Sequence, residues 1–293
     1  MGQIKSSAHQ SIFSSNHIWK IRKFVQPIYQ IVTFISLITS LLLPVLPQQA
    51  GSPADSPKID YVAYQPGEFL KYDLNYNGIS GGVSTFQIKN ETKAIAGKPH
   101  FQVSITGKSF PVVDAFYKVR DYYESYIDVE TLLPTVYIRD VTEGKYVKKE
   151  YYIFDQKDRQ IIANKQTYKV QTDMHDIVSA FYYLRCIDFS NKPIGYTLNL
   201  NAFFDEEVFP LGVQYRGKTI INSSVGKINC MIFKPKLIEG RVFQDQEDMT
   251  IYVSDDKNQV PVRIESKVYL GRVRAELVKY SGLKFPFTAK IPG

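Results

Sequence analysis

DMHDIVSAFYYLRCIDF, residues 173–189, is the one long stretch beyond residue 50 in which apolar residues recur with the period of a helix. They form one stripe with spacings of three and four residues: Met174, Ile177, Val178, Phe181 and Leu184. Asp173 precedes this stripe and is of a residue type favoured at a helix N-cap. The sequence therefore predicts one helix over residues 173–189, between two regions with a strand pattern.

Segments in which polar and apolar residues alternate lie on both sides of the predicted helix. FLKYDLNY, VSTFQI and FQVSIT precede it, and MTIYVSDD, VPVRIESKVYLG and VRAELVKY follow it. Clusters of Gly, Asn and Pro separate them, which is typical of half-buried antiparallel strands joined by tight turns. We therefore predict a mainly β fold, an antiparallel half-barrel or a sandwich with one central helix.

The strand-patterned segments form two similar halves. Three residues recur 127 positions later in the chain: Asp128, Pro134 and Gly144 correspond to Asp255, Pro261 and Gly271. AGKPHFQVSI also resembles VGKINCMIFK at a shift of 129. Chance spacing in a β-meander is the alternative, but a shared offset favours an internal repeat. We predict two β-meander halves, residues 64–158 and 195–281, in one sheet with the helix on its concave side.

Residues 1–50 have the layout of a secretory signal. Lys20, Arg22 and Lys23 precede an apolar run over 31–46, and small and polar residues follow it. An uncleaved amino-terminal anchor is the alternative, because residues 24–46 could nearly span a bilayer. Either alternative predicts export, to the periplasm or to the periplasmic side of a membrane. The leader itself would contact the membrane only if it is not cleaved.

The rest of the chain divides into three parts. Residues 51–63 are predicted to be a tether, 64–281 a single β domain, and 282–293 a carboxy-terminal tail. Beyond residue 50 there are 32 basic and 29 acidic residues, so the formal charge there is +3 rather than the +7 of the whole chain. Because a surplus of three is small, we expect no nucleic-acid partner.

Four segments together resemble the exported bacterial family catalogued as domain of unknown function 3108. They are PGEFLKYDLNYNGISGG, VDAFYKVRDYYESYID followed by LLP, the helix pattern D-x-x-S-x-x-Y-x-L-R over residues 176–185, and VPVRIESKVYLG. The resemblance extends over residues 64–281. It implies an envelope protein that is mostly antiparallel β and has no established activity, and it assigns no catalytic residue.

The residue types used in common catalytic and metal sites are scarce beyond residue 50. Only two histidines, His100 and His175, and two cysteines occur there. None has the sequence context of a nucleophilic triad or of a zinc site, and His175 is expected at the surface of the helix's first turn. We predict no catalytic residue, no metal and no cofactor, and we favour a protein that is not an enzyme.

Cys186 and Cys230 are the only cysteines in the chain. In an oxidising compartment they could form a disulfide that joins the helix to a strand. Burial of both as free thiols is equally compatible with the sequence, because free cysteine behaves as a small apolar residue.

A ligand site is predicted beneath the helix. A concave sheet lined with aromatic and aliphatic side chains, under an amphipathic helix, would form a groove for a lipid or a peptide. The candidate ligand-binding residues are Asp176, Phe181, Tyr183, Leu184 and Arg185. The polar members of this set could instead form structural ion pairs with strand residues such as Arg120 or Asp121.

The first functional prediction is therefore non-enzymatic binding of an apolar or amphipathic envelope component, such as a lipid. One alternative is a structural subunit of an envelope assembly that binds a protein partner through exposed strand edges. A second is an envelope glycosidase or other hydrolase, which would need two carboxylates close together in a cleft.

Overall fold

The described residues form one continuous antiparallel sheet with two short helices. A computed structural model describes residues 59–170, 173–236, 249–268 and 271–292, so the leader predicted for residues 1–50 lies outside the described residues. The strands are β1 (Phe69–Tyr76), β2 (Ile79–Ile88), β3 (Lys93–Ile95), β4 (Lys98–Ser109), β5 (Val119–Asp128), β6 (Pro134–Glu143), β7 (Tyr146–Asp155), β8 (Gln160–Ala163), β9 (Gln166–Lys169), β10 (Thr197–Phe204), β11 (Glu207–Ser223), β12 (Gly226–Pro235), β13 (Met249–Ser254), β14 (Pro261–Val268) and β15 (Gly271–Ser281). The helices are α1 (Pro111–Asp114) and α2 (Ile177–Leu184).

The strand order is β10-β11-β12-β13-β14-β15-β1-β2-β4-β5-β6-β7-β8-β9, and β3 pairs with β4 beside this path. The two halves of the chain meet where β15 pairs with β1. Since every strand pair is antiparallel, the predicted mainly antiparallel β fold is confirmed.

The sheet curls until its two end strands approach one another. The Phe203 ring of β10 lies 5.2 Å from the Tyr168 ring of β9 and 5.3 Å from the Tyr152 ring of β7, measured between centroids. In the β10–β11 turn, Glu206 accepts hydrogen bonds from Tyr168 (2.7 Å) and from Asn164 (2.8 Å). Side chains therefore join the ends of the sheet, which gives the half-barrel form of the predicted fold.

Helix α2 is shorter than the predicted 173–189. It begins at Ile177 after the N-cap Asp176, because the backbone of His175 pairs with β10 instead. The His175 N–H donates to the Asn201 carbonyl (2.9 Å), and the His175 carbonyl accepts from the Phe203 N–H (2.8 Å). The predicted N-cap Asp173 was therefore wrong by three residues.

The carboxy-terminal end of α2 is fixed by a side chain from the second half. The Gln259 amide donates to the carbonyls of Arg185 (3.0 Å) and Ile187 (2.6 Å), which lack partners within the helix. The helix consequently ends at Leu184 rather than at residue 189.

Helix α2 lies on the concave side of the sheet, against β4, β5 and β10. It is enclosed by protein on most of its circumference: Val178, Ser179, Ala180, Tyr182 and Tyr183 are buried, and Ile177, Phe181 and Leu184 are half-buried. The predicted single apolar stripe was therefore too narrow, since residues off the stripe also face the core.

Aromatic side chains fill much of the space between α2 and the sheet. Tyr182 packs edge-on against Tyr64 (4.9 Å between ring centroids), and Phe181 packs against Phe86 (5.1 Å). These residues belong to the main hydrophobic cluster of the molecule. The concave side is thus the centre of the core.

Two turns show the geometry that the proposed repeat predicts. The register shifts between Tyr126 and Ile127 in the β5–β6 pair, and between Tyr252 and Val253 in the β13–β14 pair. The turns that follow each contain a residue with positive φ, Leu132 (58°) and, 127 positions later, Gln259 (44°). The duplication itself stays a prediction.

The carboxylate in the second of these turns differs from the one predicted. Asp128 Oδ1 accepts from the N–H groups of Glu130 (2.8 Å) and Thr131 (3.0 Å). In the second half Asp256, rather than Asp255, accepts from the Asn258 N–H (3.0 Å). The carboxylate that accepts these bonds therefore lies six positions before Pro134 in the first turn and five before Pro261 in the second.

The carboxy-terminal tail packs on the outer, convex side of the second half. The Asn229 N–H donates to the Ala289 carbonyl (2.9 Å), so the tail lies beside β12. Ala289 shares a small hydrophobic cluster with Ile228, Cys230 and Val262. Part of the outer face of the second half is thereby covered by the chain itself.

Candidate functional site

Arg185, a predicted ligand-binding residue, forms a buried ion pair within the fold. Its guanidinium donates to the two carboxylate oxygens of Glu68 at 2.6 and 2.8 Å, and to the Asn258 carbonyl at 3.0 and 3.2 Å. The side chains of Arg185 and Glu68 are only 3% and 0% exposed. The structural alternative is present, but its partner is Glu68 rather than Asp121 or Arg120, and Arg120 pairs with Asp114.

Asp176 caps α2 and ties it to the first half of the sheet. Its carboxylate accepts from the N–H groups of Val178 (2.7 Å) and Ser179 (2.8 Å) and from the Ser125 hydroxyl (2.6 Å). Burial raises the pKa of Asp176 to about 6, although these hydrogen bonds act in the opposite direction. The hydrogen bonds that the Asp176 carboxylate accepts therefore all come from other groups of the protein.

The remaining predicted ligand residues also pack within the fold. Tyr183 lies against the ring of His175 (4.6 Å), and burial raises the pKa of Tyr183 to about 12. Phe181 contacts Phe86, and Leu184 packs against the same core. The five predicted residues therefore lie along α2 and at its two ends, in contact with other parts of the fold. Their binding role stays a prediction.

His175 is buried, contrary to the surface position predicted for it. It is 1% exposed, and burial lowers its pKa to about 3, so the ring is neutral at physiological pH. Within the part of the chain that the structure describes, neither ring nitrogen has a hydrogen-bond partner. His175 is buried because its backbone pairs with β10. The sequence prediction placed residue 175 in the helix, so it did not anticipate this pairing.

Cys186 and Cys230 are both buried and free, so the disulfide considered from the sequence is not formed. Cys186 lies in the main core and Cys230 in the small cluster beneath the tail, on the other side of the sheet. Burial raises the pKa of the Cys186 thiol to about 11 and that of Cys230 to about 12. Both are therefore protonated and unreactive at neutral pH.

A charged cluster inside the half-barrel had no signal in the sequence. Arg139 of β6 pairs with Glu150 of β7 (3.0 Å) and with Asp205 of the β10–β11 turn (2.8 Å), and Lys148 pairs with Glu150 (2.9 Å). Asp205 is 66 residues from Arg139 along the chain. The cluster links the two ends of the curled sheet, which explains why only the folded topology reveals it.

Asp121 and Glu143 are the other acids of this interior region. They are 4% and 5% exposed. Burial, reinforced by the nearby charge of Glu143, raises the pKa of Asp121 to about 8, so this carboxyl is mostly protonated at neutral pH. Since both acids are buried, they do not line an open cleft of the kind that the glycosidase alternative requires.

Two kinds of feature are absent from the described ranges. No group of three or more His, Cys, Asp or Glu side chains in them is arranged to hold a metal ion. No helix in them is both long enough and apolar enough to cross a bilayer.

The outer face of β6, β7 and β8 carries an unusual set of apolar side chains. We call it the apolar outer face, and it consists of Val136, Ile138, Val147, Tyr151, Ile153 and Ile162. Val136, Ile153 and Ile162 are direct neighbours across three strands, and Ile138 is opposite Tyr151. Val147 is 60% exposed, Tyr151 50% and Ile162 37%, so solvent reaches the centre of this face.

Basic residues are frequent in the strands and turns around the apolar outer face, although one of them, Lys148, belongs to the charged cluster inside the half-barrel. Residues 144–170 contain seven, Lys145, Lys148, Lys149, Lys157, Arg159, Lys165 and Lys169. They contain three acidic residues, Glu150, Asp155 and Asp158. This segment therefore has a formal charge of +4, against +3 for everything beyond residue 50, so the rest of that region has a net charge of −1.

Two positions of this face are charged in the second half. Arg263 and Glu265 stand 127 positions after Val136 and Ile138. Arg263 pairs with Glu276 (3.1 Å), and Glu265 pairs with Arg274 (2.9 Å). The apolar residues Val136 and Ile138 of the first half therefore correspond to charged, paired residues in the second, a difference that a search for shared features between the halves could not detect.

The model of the family described as a protein of unknown function, DUF3108, matches residues 71–278, which is most of the chain. This chain belongs to the DUF3108 family. No curated protein sequence matches it.

The DUF3108 sheet resembles a solved β-barrel-like protein of the domain of unknown function DUF1849 from Brucella abortus. The two share 10% sequence identity at a TM-score of 0.50, over 76% of this chain and 100% of the other. At this identity the similarity supports the fold alone.

Two weaker similarities involve bacterial proteins described in terms of export. One is a protein from Bacteroides fragilis proposed to be exported, with a YmcC-like fold (TM-score 0.36, 10% identity, covering 76% of this chain and 100% of that one). The other is a protein from Parabacteroides distasonis proposed to be a lipoprotein (TM-score 0.35, 10% identity, 78% and 100%). Such low TM-scores carry no argument about this DUF3108 protein.

Proposed function

We propose that this DUF3108 protein is an exported, non-enzymatic protein that binds the surface of an anionic membrane through its apolar outer face. The observation that carries the proposal is the coincidence of exposed apolar side chains with a formal charge of +4 in residues 144–170. Export itself is proposed from the layout of residues 1–50.

The physical basis is the combination of two weak attractions. Apolar side chains that enter the boundary between headgroups and acyl chains leave water, and a tyrosine such as Tyr151 suits this boundary because its ring is apolar and its hydroxyl polar. Each Lys or Arg near an anionic surface contributes about 1 kcal/mol. Lys169 shares the face with Ile162, so both attractions act in one orientation. Lys149 lies beside Val147 on the same face, where Asp140 pairs with it (2.6 Å).

The packing beneath α2 favours the outer surface over the groove first predicted. Asp176 and Arg185 are engaged with Ser125 and Glu68, and Phe181 with Phe86. An amphipathic component would therefore meet the protein at a membrane surface rather than beneath the helix.

Vesicle flotation tests the proposal. The exported form, residues 51–293, would be mixed with vesicles of phosphatidylcholine, with or without phosphatidylglycerol, at low and at high salt. Among the described residues, the strand pairs join positions between 69 and 281, so residues 51–293 contain every described strand. We expect binding only to vesicles that contain phosphatidylglycerol, and weaker binding at high salt because the lysines are screened.

Val147→Asp is the informative variant, and Ile194→Asp is its matched control. Val147 and Ile194 are 60% and 72% exposed, but Ile194 lies outside residues 144–170. Val147→Asp should reduce the bound fraction severalfold, whereas Ile194→Asp should leave it unchanged. Equal binding to both vesicle types, or an equal loss in both variants, would refute the proposal.

A further inference from the structure

The outer side of the sheet contains a groove of about 360 Å³ where β1 of the first half pairs with β15 of the second. Its floor is formed by β1 and β15, and its sides include Phe110 and Ser224 of the β11–β12 turn. This volume is near the lower end of the range of about 300–1,000 Å³ found for small-molecule sites. We propose that the groove binds a neutral saccharide of about two sugar units.

Polar side chains of opposite charge line the floor. Lys71, Asp73 and Asn75 project on the same side of β1, since they alternate along one strand. On β15, Arg274 lies opposite Asn75, and Glu276 lies opposite Asp73. Two cations and two anions are therefore present, and their formal charges cancel.

The carboxylates of Asp73 and Glu276, which lie opposite one another, would be stabilised by further hydrogen-bond donors. Residues directly opposite on antiparallel strands have Cβ atoms about 5 Å apart, and like charges in this position are unfavourable. Glu276 is partly compensated, since Arg263 (3.1 Å) and the Ser224 N–H (2.9 Å) contact it, and these contacts outweigh burial and lower its pKa. Asp73 accepts a hydrogen bond only from Ser80, among the described residues. A ligand that donates hydrogen bonds would therefore be stabilised beside Asp73.

Donors are available in the same groove. Lys71 is half-buried and has no hydrogen-bond or ion-pair partner within the described ranges. Asn75 uses its side-chain oxygen to accept from the Gly78 N–H (2.8 Å), which leaves its amide N–H groups directed elsewhere. The groove thus offers acceptors on Asp73 and donors on Lys71 and Asn75.

A neutral polyhydroxyl compound fits this lining better than an ion does. Each sugar hydroxyl both donates and accepts, so it can bridge a carboxylate and an ammonium group. An anionic ligand would meet Asp73 and Glu276, and a cationic one would meet Lys71 and Arg274. Phe110 adds an aromatic surface at the side of the groove, of the kind on which sugar rings can pack.

Saturation-transfer NMR on the exported form tests this inference. The probes would be maltose, cellobiose, lactose and N,N′-diacetylchitobiose, and inorganic phosphate would be the anionic comparison. We expect at least one disaccharide to bind and phosphate not to bind. Asp73→Asn and Lys71→Met should each weaken that binding by about tenfold, because each removes a hydrogen bond to a charged group.

Asp140→Asn is the control, because Asp140 is an exposed acid of β6 that pairs with Lys149 outside the groove. It should leave disaccharide binding unchanged. Circular dichroism would confirm that each variant is folded. If either Asp73→Asn or Lys71→Met does not fold, the other variant still tests the inference. The inference would be overturned if no disaccharide binds, if phosphate displaces the sugar, or if both groove variants bind as the unsubstituted protein does. It does not rest on the membrane proposal, which vesicle flotation tests separately.

Discussion

At the scale of single residues, Glu68 and Arg185 join the start of the sheet to the end of α2. Both are buried, and their two hydrogen bonds of 2.6 and 2.8 Å satisfy each other. Glu68→Ala would leave a buried guanidinium without its counter-charge, so we expect a loss of about 3–5 kcal/mol in the free energy of unfolding. Urea denaturation measures it. The double variant Glu68→Leu with Arg185→Met should lose much less free energy of unfolding than Glu68→Ala does. An equal loss in the two would show that packing, not charge, is responsible.

Asp121 makes the free energy of unfolding fall as the pH rises, whereas most acids make it increase. Its pKa in the folded state is about 8, above the usual value of 3.8, so its contribution to stability is lost as the pH rises from about 4 to about 8. Asp121→Asn removes this loss. We expect the variant to gain stability over the unsubstituted protein by up to about 1.4 kcal/mol per pH unit in this window, and little at pH 4. Urea denaturation at several pH values measures this difference in stability between the variant and the unsubstituted protein. A difference that does not change with pH would contradict the raised pKa of Asp121.

At the scale of secondary structure elements, the N-terminus of α2 depends on Asp176. Asp176→Ala removes the acceptor for two helix N–H groups and for Ser125, so we expect a loss of about 1–3 kcal/mol, measured by thermal or urea unfolding. Asp176→Asn retains a side-chain acceptor and avoids a buried charge. It should therefore be clearly less destabilising than Asp176→Ala, and an equal loss would argue against the capping role.

Helix α2 also illustrates what the sequence can and cannot predict. The spacing from Met174 to Leu184 predicted its existence, because periodicity is a local property. Its ends depended on His175 pairing with β10 and on Gln259 contacting the carbonyls of Arg185 and Ile187 just beyond Leu184, contacts that join distant parts of the chain. For the same reason the partner of Arg185 could not be predicted, since Glu68 is 117 residues away.

At the scale of the whole molecule, the sheet continues from one half to the other through β15 and β1. The offset of 127 residues, together with alternation, predicted one mainly antiparallel sheet with a helix on its concave side. It could not predict that the outer faces differ, because this difference comes from individual residues. Val136 and Ile138 in one half stand where Arg263 and Glu265 stand in the other.

The edge strands of the sheet offer little room for a protein partner to add a strand. β9 has only four residues, and part of the free edge of β10 is occupied by His175. Short and covered edges limit strand addition. Binding of a protein partner through the edges stays a prediction from the sequence.

The most direct test of the membrane proposal is the fluorescence of a single tryptophan placed in the apolar outer face. The only tryptophan is Trp19 in the leader, so the exported form contains none, and Val147→Trp would be the sole reporter. With vesicles that contain phosphatidylglycerol, we predict that its emission shifts to shorter wavelength and is quenched by brominated acyl chains. Ile194→Trp should show neither change. Emission from Val147→Trp that stays unshifted and unquenched, or that matches Ile194→Trp, would contradict the account.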